Sequence, residues 1–183
     1  MKTNLFASLV ATAVLASSSA AAEGWRFLPI LSDKNMKLEP TLALTVNRVD
    51  PDQAGINNAT AYGIDFNFNC GLIQDPQNRM RTHLNISRSD KDGLEVMGYE
   101  LSPRYTVPLG NGLSVGAGPT LALFQLDQPG FSESYFGVGV AAGVNYRMGD
   151  FYAGADLRLH DTRTKRQVDY DNLTLGAKVG INF

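Results

Sequence analysis

The last twelve residues, Asn172 to Phe183, alternate without a break. Leu173, Leu175, Ala177, Val179, Ile181 and Phe183 are apolar; Asn172, Thr174, Gly176, Lys178, Gly180 and Asn182 are polar or glycine. Successive side chains of a strand point to opposite faces, so the segment reads as a strand with one oily and one wet face. Such a strand needs neighbours on both edges and a cover for its oily side.

The neighbours are upstream. The same alternation runs through Lys37–Val46, Ala61–Leu72, Arg79–Ser87, Val96–Val107, Leu113–Leu123, Phe136–Tyr146 and Phe151–His160. With the closing segment this predicts eight strands of about ten residues, the length a tilted membrane strand requires. None of the eight oily faces carries Lys, Arg, Asp or Glu. A soluble β-sandwich would also alternate, but its outer faces would carry more charge. The uniform oily faces point to lipid, where one charge at mid-membrane costs about 2–4 kcal/mol. In lipid an open sheet edge leaves backbone groups unsatisfied, so the sheet must close. The fold predicted is all-β: an eight-stranded antiparallel transmembrane β-barrel over residues 37–183.

The connections are read as alternating in length. Asn47–Thr60, Arg88–Gly93, Asp127–Ser134 and Asp161–Asp171 are polar and long; the turns at 74–78, 108–112 and 148–150 are short. This is the asymmetry of barrels with long outer loops and short periplasmic turns. Tyr62, Tyr99, Tyr105, Phe136, Tyr146, Phe151 and Phe183 lie near strand ends, where aromatic rings favour the membrane interface.

Ahead of the strands, Lys2, the apolar run Leu5–Leu15 and Ala20-Ala21-Ala22 read as a secretory signal peptide over residues 1–22, too short for a membrane-spanning helix. Residues 23–36, with Trp25, Phe27, Leu28, Ile30 and Leu31, read as a periplasmic leader segment, either interfacial or unstructured. The chain carries a net charge of −2, which gives no reason to expect nucleic-acid binding. Its one cysteine, Cys70, excludes an intramolecular disulfide and a multi-cysteine metal site, and its two histidines make no metal site. Cys70 is expected to face lipid as a small apolar filler.

The alternation and the terminal Phe183 resemble the small eight-stranded bacterial outer-membrane β-barrels of the OmpX, OmpW and OmpA-transmembrane-domain type. The resemblance implies residence in the outer membrane of a Gram-negative bacterium, contact with its lipid and lipopolysaccharide, no cofactor, and a monomer. It also implies that the last strand, ending in Phe183, is the assembly signal read by the barrel-assembly machinery.

An eight-stranded barrel has room inside for little more than its own side chains. The inward set expected to form a lumen network is Glu39, Asp65, Arg81, His83, Glu100, Arg104, Asp156, Arg158 and Lys178. Counting from the turns sets Asp65 near His83, Arg81 and His83 near Glu100 and Ser102, Arg104 against Gly116 and Gly118, and Glu39 near Lys178. Because both signs mix on the same rungs, a structural plug of paired charges is favoured. The alternative is a narrow channel or passage for small, hydrophobic molecules. A third reading is a lipid-A-modifying enzyme. His83 with Asp65 or Glu100 and a serine sketches a triad, but no His-x-Ser motif is found near the closing strand, and His160 reads as an exposed loop histidine. Arg163, Lys165 and Arg166 are placed on the outer side as a lipopolysaccharide contact.

Overall fold

A computed structural model of the chain describes residues 24–52, 57–163 and 170–183. The expected signal peptide, Lys165 and Arg166 lie outside the described residues. Among the described residues there are ten strands and one short helix. We name them β1 (Arg26–Phe27), α1 (Pro29–Ser32), β2 (Thr41–Pro51), β3 (Ala59–Asn69), β4 (Ile73–Gln74), β5 (Met80–Lys91), β6 (Leu94–Gly110), β7 (Leu113–Gln128), β8 (Phe131–Met148), β9 (Phe151–Thr162) and β10 (Asn172–Asn182). Eight of the strands close a barrel in the order β10-β2-β3-β5-β6-β7-β8-β9, and every pair is antiparallel. The closing strand therefore pairs on both sides: Lys178 stands opposite Thr45 of β2 and Gly154 of β9. Closure leaves no barrel edge to solvate, which is why the sheet can sit in lipid.

The alternation sorts as the transmembrane reading requires. Outward side chains such as Leu44, Ile64, Leu121, Val138, Leu157, Leu175 and Val179 are exposed, while the polar Thr45, Asp65, Asn85, Ser102, Thr120 and Thr174 are buried inside. A barrel with an oily exterior and a polar interior is the inverse of a water-soluble protein, and only a hydrocarbon solvent accounts for it.

Four sequence expectations are corrected here. The first strand begins at Thr41, not Lys37. Pro40 precedes the ladder, and Glu39 before it takes a positive φ of 45°, so the chain turns at the rim. The connections at 88–93 and 127–134 are hairpins rather than long loops. β5 and β6 meet across Asp92-Gly93, both at positive φ, as a two-residue hairpin turn demands. β7 and β8 meet across Pro129-Gly130. The asymmetry between the two ends thus resides in strand overhang. Finally, Cys70 does not face lipid: it lies past the end of β3, buried, and its N–H donates to the Met80 carbonyl at 2.8 Å.

The overhanging strand ends reverse the pattern. Beyond Tyr62, Tyr99 and Phe136 the outward positions include Arg48, Asp50, Arg88, Asp90 and Asp127, all exposed. At the same level the interior turns apolar: Val49, Ala61, Val96, Leu126, Tyr135 and Tyr170 form a buried cluster, with Leu94, Phe124 and Phe131 packed on it. There the barrel has an ordinary water-facing exterior and an oily core. Burial pushes the Tyr170 phenol up to about 12, so this lid residue stays neutral at physiological pH.

The opposite end carries a small appendage. β1 pairs with β4 as a two-stranded sheet, Arg26 opposite Gln74. Leu28 N–H donates to the Leu72 carbonyl at 2.8 Å, and Arg26 pairs with Asp33. Residues 24–36 of the expected leader thus form a structured unit on the barrel.

Candidate functional site: the charged interior of the barrel

The inward positions of the strands converge on the barrel axis. Arg158 on β9 donates to Glu100 Oε2 on β6 at 3.1 Å. Arg104, one rung pair below Glu100, lies 4.0 Å from it and donates to Asp156 Oδ1 on β9 at 2.7 Å. The other Asp156 oxygen is 2.8 Å from Lys178 Nζ on β10, and Lys178 is also 3.6 Å from Asp65 on β3. Asp65 in turn faces His83 Nδ1 on β5 at 3.2 Å. β6 and β9 are separated by two strands on the barrel wall, so the two arginine–carboxylate pairs cross the lumen. Three carboxylates, Asp65, Glu100 and Asp156, meet three basic side chains, Arg104, Arg158 and Lys178. Within this central cluster the charges balance, as burial favours, since an unpaired charge in the interior costs several kcal/mol; Arg81, also buried in the lumen, is held by neutral oxygens instead.

Inward glycines make the space. A Cβ at Gly143 would lie 2.2 Å from Asp156 Oδ1 and 3.2 Å from Arg104 Nη1. One at Gly176 would lie 2.2 Å from Asn47 Oδ1 and 3.0 Å from Arg158 Nη2. The long cations occupy the volume that these two positions leave empty, so the glycines of β8 and β10 belong to the network as much as the charges do.

The expected neighbours hold in part. Asp65 and His83 meet, and a Cβ at Gly118 would come within 3.0 Å of Arg104 Cα, so Arg104 does face that glycine. The two-residue turn at 92–93 sets a different register across β5 and β6. His83 stands opposite Ser102, but Arg81 stands opposite Arg104 and Glu100 opposite Asn85. Arg81 turns away from its like-charged neighbour and donates to the Asn69 Oδ1, Asn67 Oδ1 and Glu39 carbonyl oxygens at 2.8–2.9 Å. Glu39 does not approach Lys178. It is exposed at the rim, where its carboxylate accepts from Asn69 Nδ2 at 3.3 Å. The reason is the later start of β2, which leaves Glu39 outside the ladder while Lys178 sits deep in it.

His160 is the largest correction. It is buried in the lumen, 3.6 Å from Glu100 Oε2, with Thr120 and Asn172 each 3.4 Å away and the Phe124 ring edge-on at 5.3 Å. Its parity with Asp156 and Arg158 was the available signal. Arg147 was also missed: β8 runs two residues past Tyr146, and Arg147 donates to Thr41 Oγ1 and Asn67 Oδ1 at 2.7 and 2.8 Å. Tyr152 completes that end, fully buried, its hydroxyl donating to Asn145 Oδ1 at 2.6 Å.

The chemistry such a set offers is limited. Ser102, opposite His83, donates to the Pro119 carbonyl at 3.3 Å and accepts from Arg104 Nε at 3.0 Å. Its hydroxyl is committed to the network and not to the imidazole. Between this polar layer and the apolar lid lies a cavity of about 20 Å³, lined by residues including Asn47, Glu100, Arg158, His160 and Tyr170. That is room for about one water molecule. Among the described residues no group of three or more His, Cys, Asp or Glu is arranged to hold a metal ion. Arg163, just after β9, is exposed.

No protein-family model and no curated protein matches the chain. Solved structures do match. Neisserial surface protein A (NspA) is 13% identical with a TM-score of 0.53, over 79% of this chain and 95% of that one. The N-terminal β-barrel domain of Pseudomonas aeruginosa OprF is 16% identical with a TM-score of 0.52, over 80% of this chain and 100% of that one. Ail, the attachment invasion locus protein of Yersinia pestis, is 13% identical with a TM-score of 0.50, over 81% and 100%. At these identities the likeness speaks to the fold: this chain shares the closed barrel of the small eight-stranded outer-membrane proteins.

Proposed function

We propose that the protein is a non-enzymatic β-barrel of the bacterial outer membrane, with a structural or surface-interaction role and a lumen closed by its own side chains. The observation that carries this reading is the charge-balanced bridge from Arg158 through Glu100, Arg104, Asp156 and Lys178 to Asp65. Residues tied to one another across an interior this narrow leave no free face for a solute or a reacting group. The inverted polarity of the strands and the shared fold support the membrane assignment. The signal-peptide pattern over residues 1–22 supports export.

The same reading names the partners. The last strand, with Phe183 exposed at the rim and its N–H donating to the Pro40 carbonyl at 2.9 Å, serves as the assembly signal for the barrel-assembly machinery. Arg163, Lys165 and Arg166 meet lipopolysaccharide phosphates on the outer side, as charge-assisted pairs. The barrel acts as a monomer without cofactor.

Planar-bilayer recording tests the closed lumen. Purified protein, folded by the criterion of altered unheated mobility on a denaturing gel, is expected to insert without stepwise conductance. Reproducible steps would overturn the closed-lumen reading and favour a passage for small molecules.

A further inference from the structure

The appendage at the terminus-side rim has a surface that the barrel does not explain. Its inner contacts are well made. Pro29, Cys70, Gln74 and Asp75 are buried, Asp75 pairs with Arg79 at 2.5 Å, and Gln74 exchanges hydrogen bonds with both main-chain groups of Met80. Its outer side is oily. Phe27 is 72% exposed, Leu31 81% and Leu72 68%, with Leu28 and Ile30 about half exposed beside them. Large apolar side chains clustered in the open on a rigid support mark a surface that is covered by something.

The position says by what. Leu72 lies three residues beyond β3, whose outward Phe66 is exposed, and Leu38 lies just before β2, whose outward Leu42 and Leu44 are exposed. Phe183, 71% exposed, ends on the same rim, bonded to Pro40. The exposed apolar side chains of the appendage thus adjoin, along the chain, the ends of two strands whose outward side chains are apolar and exposed. Two exposed cations, Lys34 and Lys37, follow α1 in the same segment. Apolar side chains on a small structured element with lysines alongside are the composition of a surface that lies in the headgroup–acyl boundary.

We propose that the β1–α1–β4 unit is a membrane-interface foot, docked on the phospholipid leaflet at the terminus side through Phe27, Leu31 and Leu72. The proposal rests on the transmembrane reading of the barrel. It assigns residues 24–40 a positioning role. The foot joins the chain ahead of β2 to the β3–β5 connection, and its lipid contact holds the barrel at a set depth.

The only tryptophan, Trp25, lies next to β1 and reports on the foot. The protein is reconstituted into phosphatidylcholine–phosphatidylglycerol vesicles whose acyl chains are brominated near the carbonyl end. Trp25 fluorescence is expected to be quenched by these lipids and shielded from aqueous acrylamide. The double variant Phe27→Ser/Leu31→Ser is expected to lose more than half of the lipid quenching and to gain acrylamide quenching, with the unheated gel mobility of the folded barrel unchanged. Trp25 quenched by acrylamide and untouched by brominated lipid would overturn the proposal. So would shielding from both quenchers, which means that a protein surface covers the foot. A control separates this from failure of the membrane reading itself: Leu121→Trp on a Trp25→Phe background is quenched by brominated lipid if the barrel spans the bilayer, whatever the foot does.

Discussion

Replacing Asp156 by alanine is expected to destabilise the folded barrel by about 3–5 kcal/mol, because breaking a buried ion pair from one side strands the other charge. Here one carboxylate serves two cations, Arg104 at 2.7 Å and Lys178 at 2.8 Å. After its removal Arg104 retains Glu100 at 4.0 Å and Lys178 retains Asp65 at 3.6 Å, neither in a short, well-aligned contact. The nearest small neighbour, Gly143, has no side chain to fill the gap. Equilibrium unfolding in urea, read by tryptophan fluorescence and by gel mobility in lipid vesicles, gives the difference. The double variant Asp156→Leu/Lys178→Met removes charges of both signs together. It is expected to recover much of the loss, since apolar replacement of both partners is often close to neutral. Asp156→Ala with unchanged stability would mean that water, and not protein, solvates these cations, and hence that the lumen is open.

The second large effect lies on the other face of the same strands. Val140 points outward from β8, between Phe136 toward one rim and Tyr146 toward the other. Arginine there is expected to cost about 2–4 kcal/mol in a bilayer, the depth-dependent penalty of a cation near the midplane. On the surface of a water-soluble barrel the same change would fall within about 0.5 kcal/mol. Gln125→Arg, outward on β7 where the exterior has already turned polar, serves as the control and is expected to be close to neutral. A penalty equal at the two positions would contradict the placement of the membrane between the aromatic residues.

The strand pattern was legible because lipid removes ambiguity. A strand with one face in hydrocarbon and the other in a polar interior must alternate strictly, and β10 does so from Leu173 to Ile181. Closure followed from the lack of any cover for the edges. Three kinds of detail were not legible, each for a physical reason. Hairpin ends that overhang the membrane invert their polarity, so Phe124, Leu126 and Tyr135 look like loop residues when judged by the rule for lipid. Register depends on turn geometry, and the two-residue turn at Asp92-Gly93 moves Glu100 opposite Asn85 and Arg81 opposite Arg104. Partners across the lumen are not neighbours on the wall. Arg104 reaches Asp156 and Arg158 reaches Glu100 over two intervening strands, and no local spacing encodes that. His160 illustrates the combined effect: its parity pointed inward, while its place at a strand end made it look like a loop residue.

Spin-label accessibility along β7 tests the central claim on both faces at once. Single cysteines at Thr120, Leu121, Ala122 and Leu123, on a Cys70→Ser background, sample two inward and two outward positions on consecutive residues. After labelling and reconstitution in lipid vesicles, collision with oxygen reports hydrocarbon, and collision with a water-soluble nickel chelate reports an aqueous phase. High oxygen and low nickel accessibility at 121 and 123, with low values of both at 120 and 122, is the expected result. Nickel accessibility at 121 and 123 would contradict the membrane-facing exterior, and nickel accessibility at 120 and 122 would contradict the closed interior.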